Sequence, residues 1–276
     1  MHISAGCHMT YDCPQPTPML LTISPHPSRA PDLVAPQSLS FNPPIPYRQY
    51  LDGFGNTCTR IVAPAGRLEI STALIARDSG LVDPVLPMAM QHPVEDLPDE
   101  MLVYLLGSHY CDTDRLADIA WKLFGQGPTG WGRVQSICDF THSRIKFGYE
   151  HARPTRTASE AFYEQRGVCR DYAHLAVTLC RCVNIPARYC TGFLGDIGTP
   201  PPWGTMDFAA WFEVYLDGAW HTFDARNNTP RIGRILMARG RDATDVAIAT
   251  TFGPNTLSNF TVFTDEVLAD GTKVPT

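Results

Sequence analysis

Lysine and arginine are scarce in this chain of 276 residues: 22, against 28 aspartates and glutamates, for a formal net charge of -6. That deficit argues against nucleic acid as a partner, because phosphate binding rests on clustered basic side chains. No apolar run approaches the ~20 residues that a membrane-spanning helix needs, so no membrane partner is expected. The opening residues, Met1 to His8, lack a basic start followed by an apolar stretch, and no secretory signal is expected from them. The 9 cysteines are odd in number, scattered, and contain no CxxC pair. Such a scatter fits reduced thiols in the cytoplasm better than a disulfide framework. Cys180-Arg181-Cys182 has no histidine pair at metal-ligand spacing, so zinc is not expected. A GxGxxG fingerprint and a P-loop are also absent, and no nucleotide cofactor is indicated.

What is present is a globular composition, 44% hydrophobic and rich in turn formers with 21 glycines and 24 prolines. The length suits one large domain or two ordinary ones. Residues 1–85 read as an N-terminal β-sandwich-like domain, cut into short pieces by proline clusters. Within it Leu68, Ile70, Thr72 and Leu74 alternate with polar positions, the period of a half-buried strand. Residues 86–98 read as a proline-bearing linker. Residues 99–276 read as a second, mixed unit, which makes the fold class α+β. There, Leu116, Ile119, Ala120, Leu123 and Phe124 give Thr113–Phe124 a helical apolar face. Thr157-Ala158-Ser159-Glu160 has capping-box form and opens a short helix. An apolar stripe of Ala173, Ala176, Leu179, Cys180 and Val183 marks a further helix, with Cys169 at its start. Asp217-Gly218 between two alternating runs signals a hairpin.

Cys169 is the focus for chemistry. A cysteine at a helix N-terminus feels the positive end of the helix dipole and its unpaired N–H groups, which favour the thiolate. Gly167 just before it allows a tight turn and close substrate approach. A free cysteine is also commonly a small buried hydrophobe, and that reading competes. In the hairpin, a two-residue loop sets position 211 opposite 224, 213 opposite 222 and 214 opposite 221. Ala209, Trp211, Glu213 and Tyr215 then share one face, and Asp224 stands on it within diagonal reach of position 209.

Four motifs carry a family resemblance: Gly167-Val168-Cys169-Arg170-Asp171-Tyr172-Ala173-His174, Pro186-Ala187-Arg188-Tyr189, Asp207-Phe208-Ala209-Ala210-Trp211-Phe212-Glu213, and Trp220-His221-Thr222-Phe223-Asp224-Ala225-Arg226. In this order they resemble the bacterial transglutaminase-like superfamily, a branch of the papain-like cysteine enzymes. Residues 1 to about 80 are similar to the β domain that precedes this core in one bacterial subfamily. The resemblance implies a nucleophile helix packed on an antiparallel sheet and a Cys-His-Asp triad. Cys169 matches the nucleophile and Asp224 the carboxylate. Ala209 stands where the family has its histidine.

The parent activity implied is thiol-dependent amide-bond hydrolysis of a peptide or protein through a thioester. The alternatives are transfer to an amine acceptor, and a non-catalytic module that holds a peptide or partner in the old cleft. With Ala209, this chain reads as an inactive form. An alanine introduced to stop turnover is favoured over natural loss, because the rest of the constellation is intact. Trp211, Asp171 and Gly167 are candidates for substrate binding, with sheet packing and helix capping as the plainer roles for Trp211 and Asp171. Arg226 and Arg231 could form a carboxylate site or an exposed face. His174 and His221 are weighed as substitute bases and set aside, one rotated away from Cys169 on its helix, the other on the wrong face of the hairpin.

Overall fold

The computed structural model describes residues 1–201, 203–268 and 272–274. Its first part is strand after strand: β1 (His2–Cys13), β2 (Thr17–Leu21), β3 (Ser38–Asn42), β4 (Tyr47–Leu51), β5 (Thr57–Ala63) and β6 (Gly66–Arg77). In β6 the alternating Leu68, Ile70, Thr72 and Leu74 are all buried, as their spacing requires. β1 was not legible as a strand. Its inward positions include Ala5 and Cys7, too small to signal a core, and Gly6 shares the strand with them. Gly6 has its own reason: a Cβ there would stand 2.6 Å from the Phe263 ring.

The second part begins with helices: α1 (Asp99–Leu102), α2 (Thr113–Phe124), α3 (Trp131–Arg144), the short strand β7 (Lys146–Phe147), and α4 (Ala158–Glu164). Thr157 caps α4, and the reciprocal Glu160 contact is made. Next come β8 (Arg166–Gly167), α5 (Cys169–Cys182), β9 (Ala187–Phe193), β10 (Ala209–Leu216), β11 (Ala219–Phe223) and β12 (Ile235–Gly240). Strands β9 to β12 form one antiparallel sheet in the order β11-β10-β9-β12. The central helix α5 lies on it, buried along nearly its whole length, with α2, α3 and α4 packed around it. The core of this unit joins Leu175, Ala176 and Leu179 of α5 to Phe212, Val214 and Leu216 of β10.

The reach of the second unit to residue 276 needs correction. Strands β13 (Ala249–Thr251) and β14 (Thr256–Val267) return to the N-terminal unit. β14 pairs with β1, and β13 with β2. Two four-stranded sheets result, β14-β1-β6-β3 and β13-β2-β5-β4. A twelve-residue β1 exposes a full ladder of N–H and C=O groups on each edge, and β14 covers one of them. Residues 249–267 therefore complete the sandwich rather than the helical unit, while 269–271 and 275–276 lie outside the described residues. The two units also share one apolar cluster, in which Phe193, Phe208, Ile235 and Met237 meet Ile3, Met9 and Ile70. The stretch read as a linker is laid onto the second unit. Met90 accepts from the Asp217 N–H, Gln91 donates to Val183, and His92 accepts from Gly218. Among the described residues, no helix is long and apolar enough to cross a membrane.

Candidate active site

The N-terminus of α5 is built by a carboxylate. Asp171 turns back so that its Oδ2 accepts the Val168 N–H at 2.8 Å and the Arg156 guanidinium at 3.0 Å. Its side chain is fully buried. Gly167 makes room for this, since a Cβ there would lie 2.5 Å from the same Oδ2. Gly167 also pairs β8 with Phe147 of β7, which brings Phe147 and Tyr149 to the thiol. Two of the expected substrate-binding residues are thus corrected: Asp171 caps and neutralises, and Gly167 admits the cap. Neither lines the cleft that holds Cys169.

Cys169 itself is partly exposed at the floor of a cleft of about 130 Å³. It lies against the edge of β10. β11 pairs only with Phe212–Leu216, so the backbone of β10 before Phe212 is uncovered on that side. The Cys169 Sγ sits 3.9 Å from the Phe208 carbonyl oxygen, and the Ala210 N–H points to it. The thiol is not poised. Burial pushes its pKa up to about 11, the Asp207 carboxylate adds to this, and Arg226 and the Ala210 N–H oppose it without prevailing. Desolvation is the largest influence, so Cys169 is protonated at neutral pH.

The hairpin register is the one expected, with Glu213 opposite Thr222 and Val214 opposite His221. Ala209 lines the cleft together with Cys169. Asp224, in the turn after β11, is not among the residues that line this cleft. Its Oδ1 accepts the Asn227 N–H, and its Oδ2 accepts Asn227 Nδ2 and Arg234 Nη2, at 2.7–2.9 Å. Burial works against its ionisation, but the Arg234 guanidinium and the Asn227 donors outweigh that and hold its pKa below the usual carboxylate range. Arg234 runs on to Asp83 and stands 5.1 Å from the Trp211 ring. Trp211 is 2% exposed and packs on Cys190 and Leu236. Its assignment to substrate binding is therefore corrected to sheet packing.

Among the described residues, no histidine lines the Cys169 cleft. His174 is fully buried and accepts the Ala243 N–H at Nε2, with its ring stacked on Tyr110. Burial holds its pKa down to about 3. His221 contacts the Leu216 carbonyl and Trp131, on the helix side of the sheet. Neither imidazole serves the thiol. The sequence reading missed Asp207 and Tyr149, which share the cleft with Cys169; both lie at element ends, where no periodicity marks a direction. Arg226 and Arg231 do not form an exposed face, for both line this cleft and Arg231 is buried. No three His, Cys, Asp or Glu side chains converge to hold a metal ion among the described residues.

Residues 118–225 match the family model of the transglutaminase-like superfamily. That span contains Cys169, Ala209 and Asp224. The crystal structure of a candidate cysteine protease from Cytophaga hutchinsonii superposes with a TM-score of 0.83 at 28% identity, over 99% of this chain and 93% of that one. The sandwich and the helical unit are therefore shared as one arrangement. An uncharacterised protein of Mycobacterium leprae, ML0607, is 34% identical over 91 residues, a match that spans 32% of either chain.

Proposed function

From a chain that carries a transglutaminase-like domain over residues 118–225, we propose a thiol-dependent amide-bond hydrolase of peptidase type, held inactive by alanine at position 209. The observation that carries this reading is the cleft that holds Cys169 and Ala209 together with no imidazole. In the complete reaction, a histidine at 209 takes the Cys169 proton, and the thiolate attacks the amide carbonyl carbon. The Asp171 N–H is taken by the Val168 carbonyl, which leaves the Cys169 and Arg170 N–H groups at the start of α5 for the oxyanion. The histidine then protonates the leaving amine, a thioester remains, and water cleaves it to release the acid and restore the thiol. The full-length likeness to a candidate cysteine protease supports water as the acceptor. As the chain stands, it binds its amide substrate without turnover.

The test is Ala209→His, with thiol alkylation followed against pH and read at Cys169 by peptide mapping, because the chain has 9 cysteines. In the unaltered chain, alkylation should rise only toward pH about 11. In the variant a reactive thiolate should appear near neutrality, and amide hydrolysis should gain about 10²–10⁴ in rate, the range of a general acid–base group. If Cys169 stays slow in the variant, the triad reading fails and the cleft is a binding site alone.

A further inference from the structure

The cleft beside Cys169 holds more charge than the thiol chemistry uses. Arg226 and Arg231 both donate Nη1 to the Oδ1 of Asn227, each at 2.9 Å. Arg231 is 7% exposed and also donates Nη2 to the Gly195 carbonyl and to Asp196. Its Nε is buried with no acceptor, which is unfavourable unless a ligand supplies one. Arg226 lies with its guanidinium 4.4 Å from the Phe147 ring centre. Among the described residues it has no carboxylate partner. Asp207 is half-buried, accepts the Phe208 N–H at 2.7 Å, and has no cationic partner among the described residues.

Two guanidinium groups and two carboxylates thus line one cleft. One pair, Arg231 with Asp196, is closed at 3.3 Å. The other, Arg226 and Asp207, stays apart, although each acts on the Cys169 thiol. A ligand that carried only one charge would satisfy one of these groups and leave the other exposed to a drier site. A ligand with an amine at one end and a carboxylate at the other satisfies both without changing the charge of the cleft. In a dipeptide those two charges flank a single amide, the group that the Cys169 thiol of the same cleft would attack. Inside a longer chain the same charges are consumed in peptide bonds. The space beside the thiol is limited, about 130 Å³, which favours small side chains.

Resting on the thiol–amide reading above, we infer that the cleft selects a dipeptide with free termini and small side chains, its carboxylate on Arg226 and Arg231 and its amine on Asp207. Bidentate recognition of carboxylate by a planar guanidinium fits this assignment.

The experiment uses the unaltered chain and needs no turnover. At pH 7, where the dipeptide amine is charged and the slow alkylation of Cys169 is followed over hours, glycyl-alanine, its N-acetyl derivative, its carboxamide and the doubly capped form are each titrated as protectants of Cys169 against iodoacetamide, with peptide mapping as the readout. Glycyl-alanine should protect at a concentration about tenfold or more below either singly capped form, the effect of losing one charge-assisted hydrogen bond. In Arg226→Gln the advantage over the carboxamide should shrink several-fold, with Arg231 alone left to hold the carboxylate, and the advantage over the N-acetyl form should remain. In Asp207→Asn the pattern should reverse. Equal protection by glycyl-alanine and the doubly capped form overturns the inference and leaves the amide-cleft reading standing. Absence of protection by all four overturns it too, while the alkylation profile of Ala209→His judges the triad separately. The capped series on the unaltered chain decides the matter even if a variant folds poorly.

Discussion

Asp224 and position 209 belong to one proposed triad, yet the fold holds them very differently. Asp224 is 7% exposed, accepts from Asn227 and Arg234, and through Arg234 ties the turn after β11 to Asp83. The Ala209 side chain is half-buried at the cleft and packs against the cluster of Cys190, Trp211 and Leu236. Nothing in the fold asks for a histidine there. The difference bears on how an incomplete site should be read. An intact carboxylate suggests a site disarmed in one step, but Asp224 has a structural reason to be kept whatever happens to the chemistry. Its presence therefore does not discriminate between an introduced and an inherited alanine.

The comparison is broken or sharpened first at Asp224 itself. Asp224→Ala leaves Arg234 buried with Asp83 as its remaining partner, and removing one partner of a buried pair costs about 3–5 kcal/mol. Urea unfolding should show that loss in the chain as it stands, with no activity at stake. A cost near zero would mean that Asp224 is kept for chemistry alone. At the helix start, Gly167→Ala drives a Cβ to 2.5 Å from Asp171 Oδ2. Overpacking of this kind costs about 1–3 kcal/mol; an unchanged midpoint would show that the cap can move aside.

His174 supplies a slope rather than a step. Unfolded, it binds a proton below 6.5; folded, burial delays this to about 3, and His26, also desolvated, is delayed to about 4. Between those limits the unfolded chain binds more protons, so stability falls as pH drops from 6.5, by up to ~1.4 kcal/mol per pH unit for each histidine. His174→Gln, which can keep an acceptor for Ala243, should roughly halve the slope between pH 5.5 and about 4.5. A slope equal to that of the unaltered chain would place the titration elsewhere. The smallest effect is expected at position 209: Ala209→Ser should shift stability by no more than about 0.5 kcal/mol. A larger loss in the same unfolding assay would show that the fold does constrain this position.

Much of the helical unit was legible. The Asp217-Gly218 turn has positive φ at both residues, 51° and 79°, the geometry of a two-residue hairpin loop, so it pins the register from Leu216 opposite Ala219 to Phe212 opposite Phe223. α2 runs from Thr113 to Phe124 as its apolar spacing requires. The sandwich was legible only in part. β14 buries few of its residues, so its alternation is weak, and nothing local shows that it returns to β1. β12 is buried almost throughout and has no alternation to read. Of the cleft, Cys169 and Ala209 could be named from motifs. Asp207 and Tyr149 could not, because their neighbours come from β7, β10 and the turn after β11.

The sequence by itself determined what depends on near neighbours along the chain: the helix that starts at Cys169, the hairpin register, and the alanine at 209. The tertiary structure alone decided what depends on distant ones. It brought residues 249–267 back to the sandwich, occupied Asp171 and Asp224 with arginines, and set Arg226 and Asp207 apart in one cleft. It also left the Cys169 thiol protonated. Backbone preferences are written residue by residue, whereas desolvation and charge pairing are fixed only when segments far apart in sequence close around the same atoms.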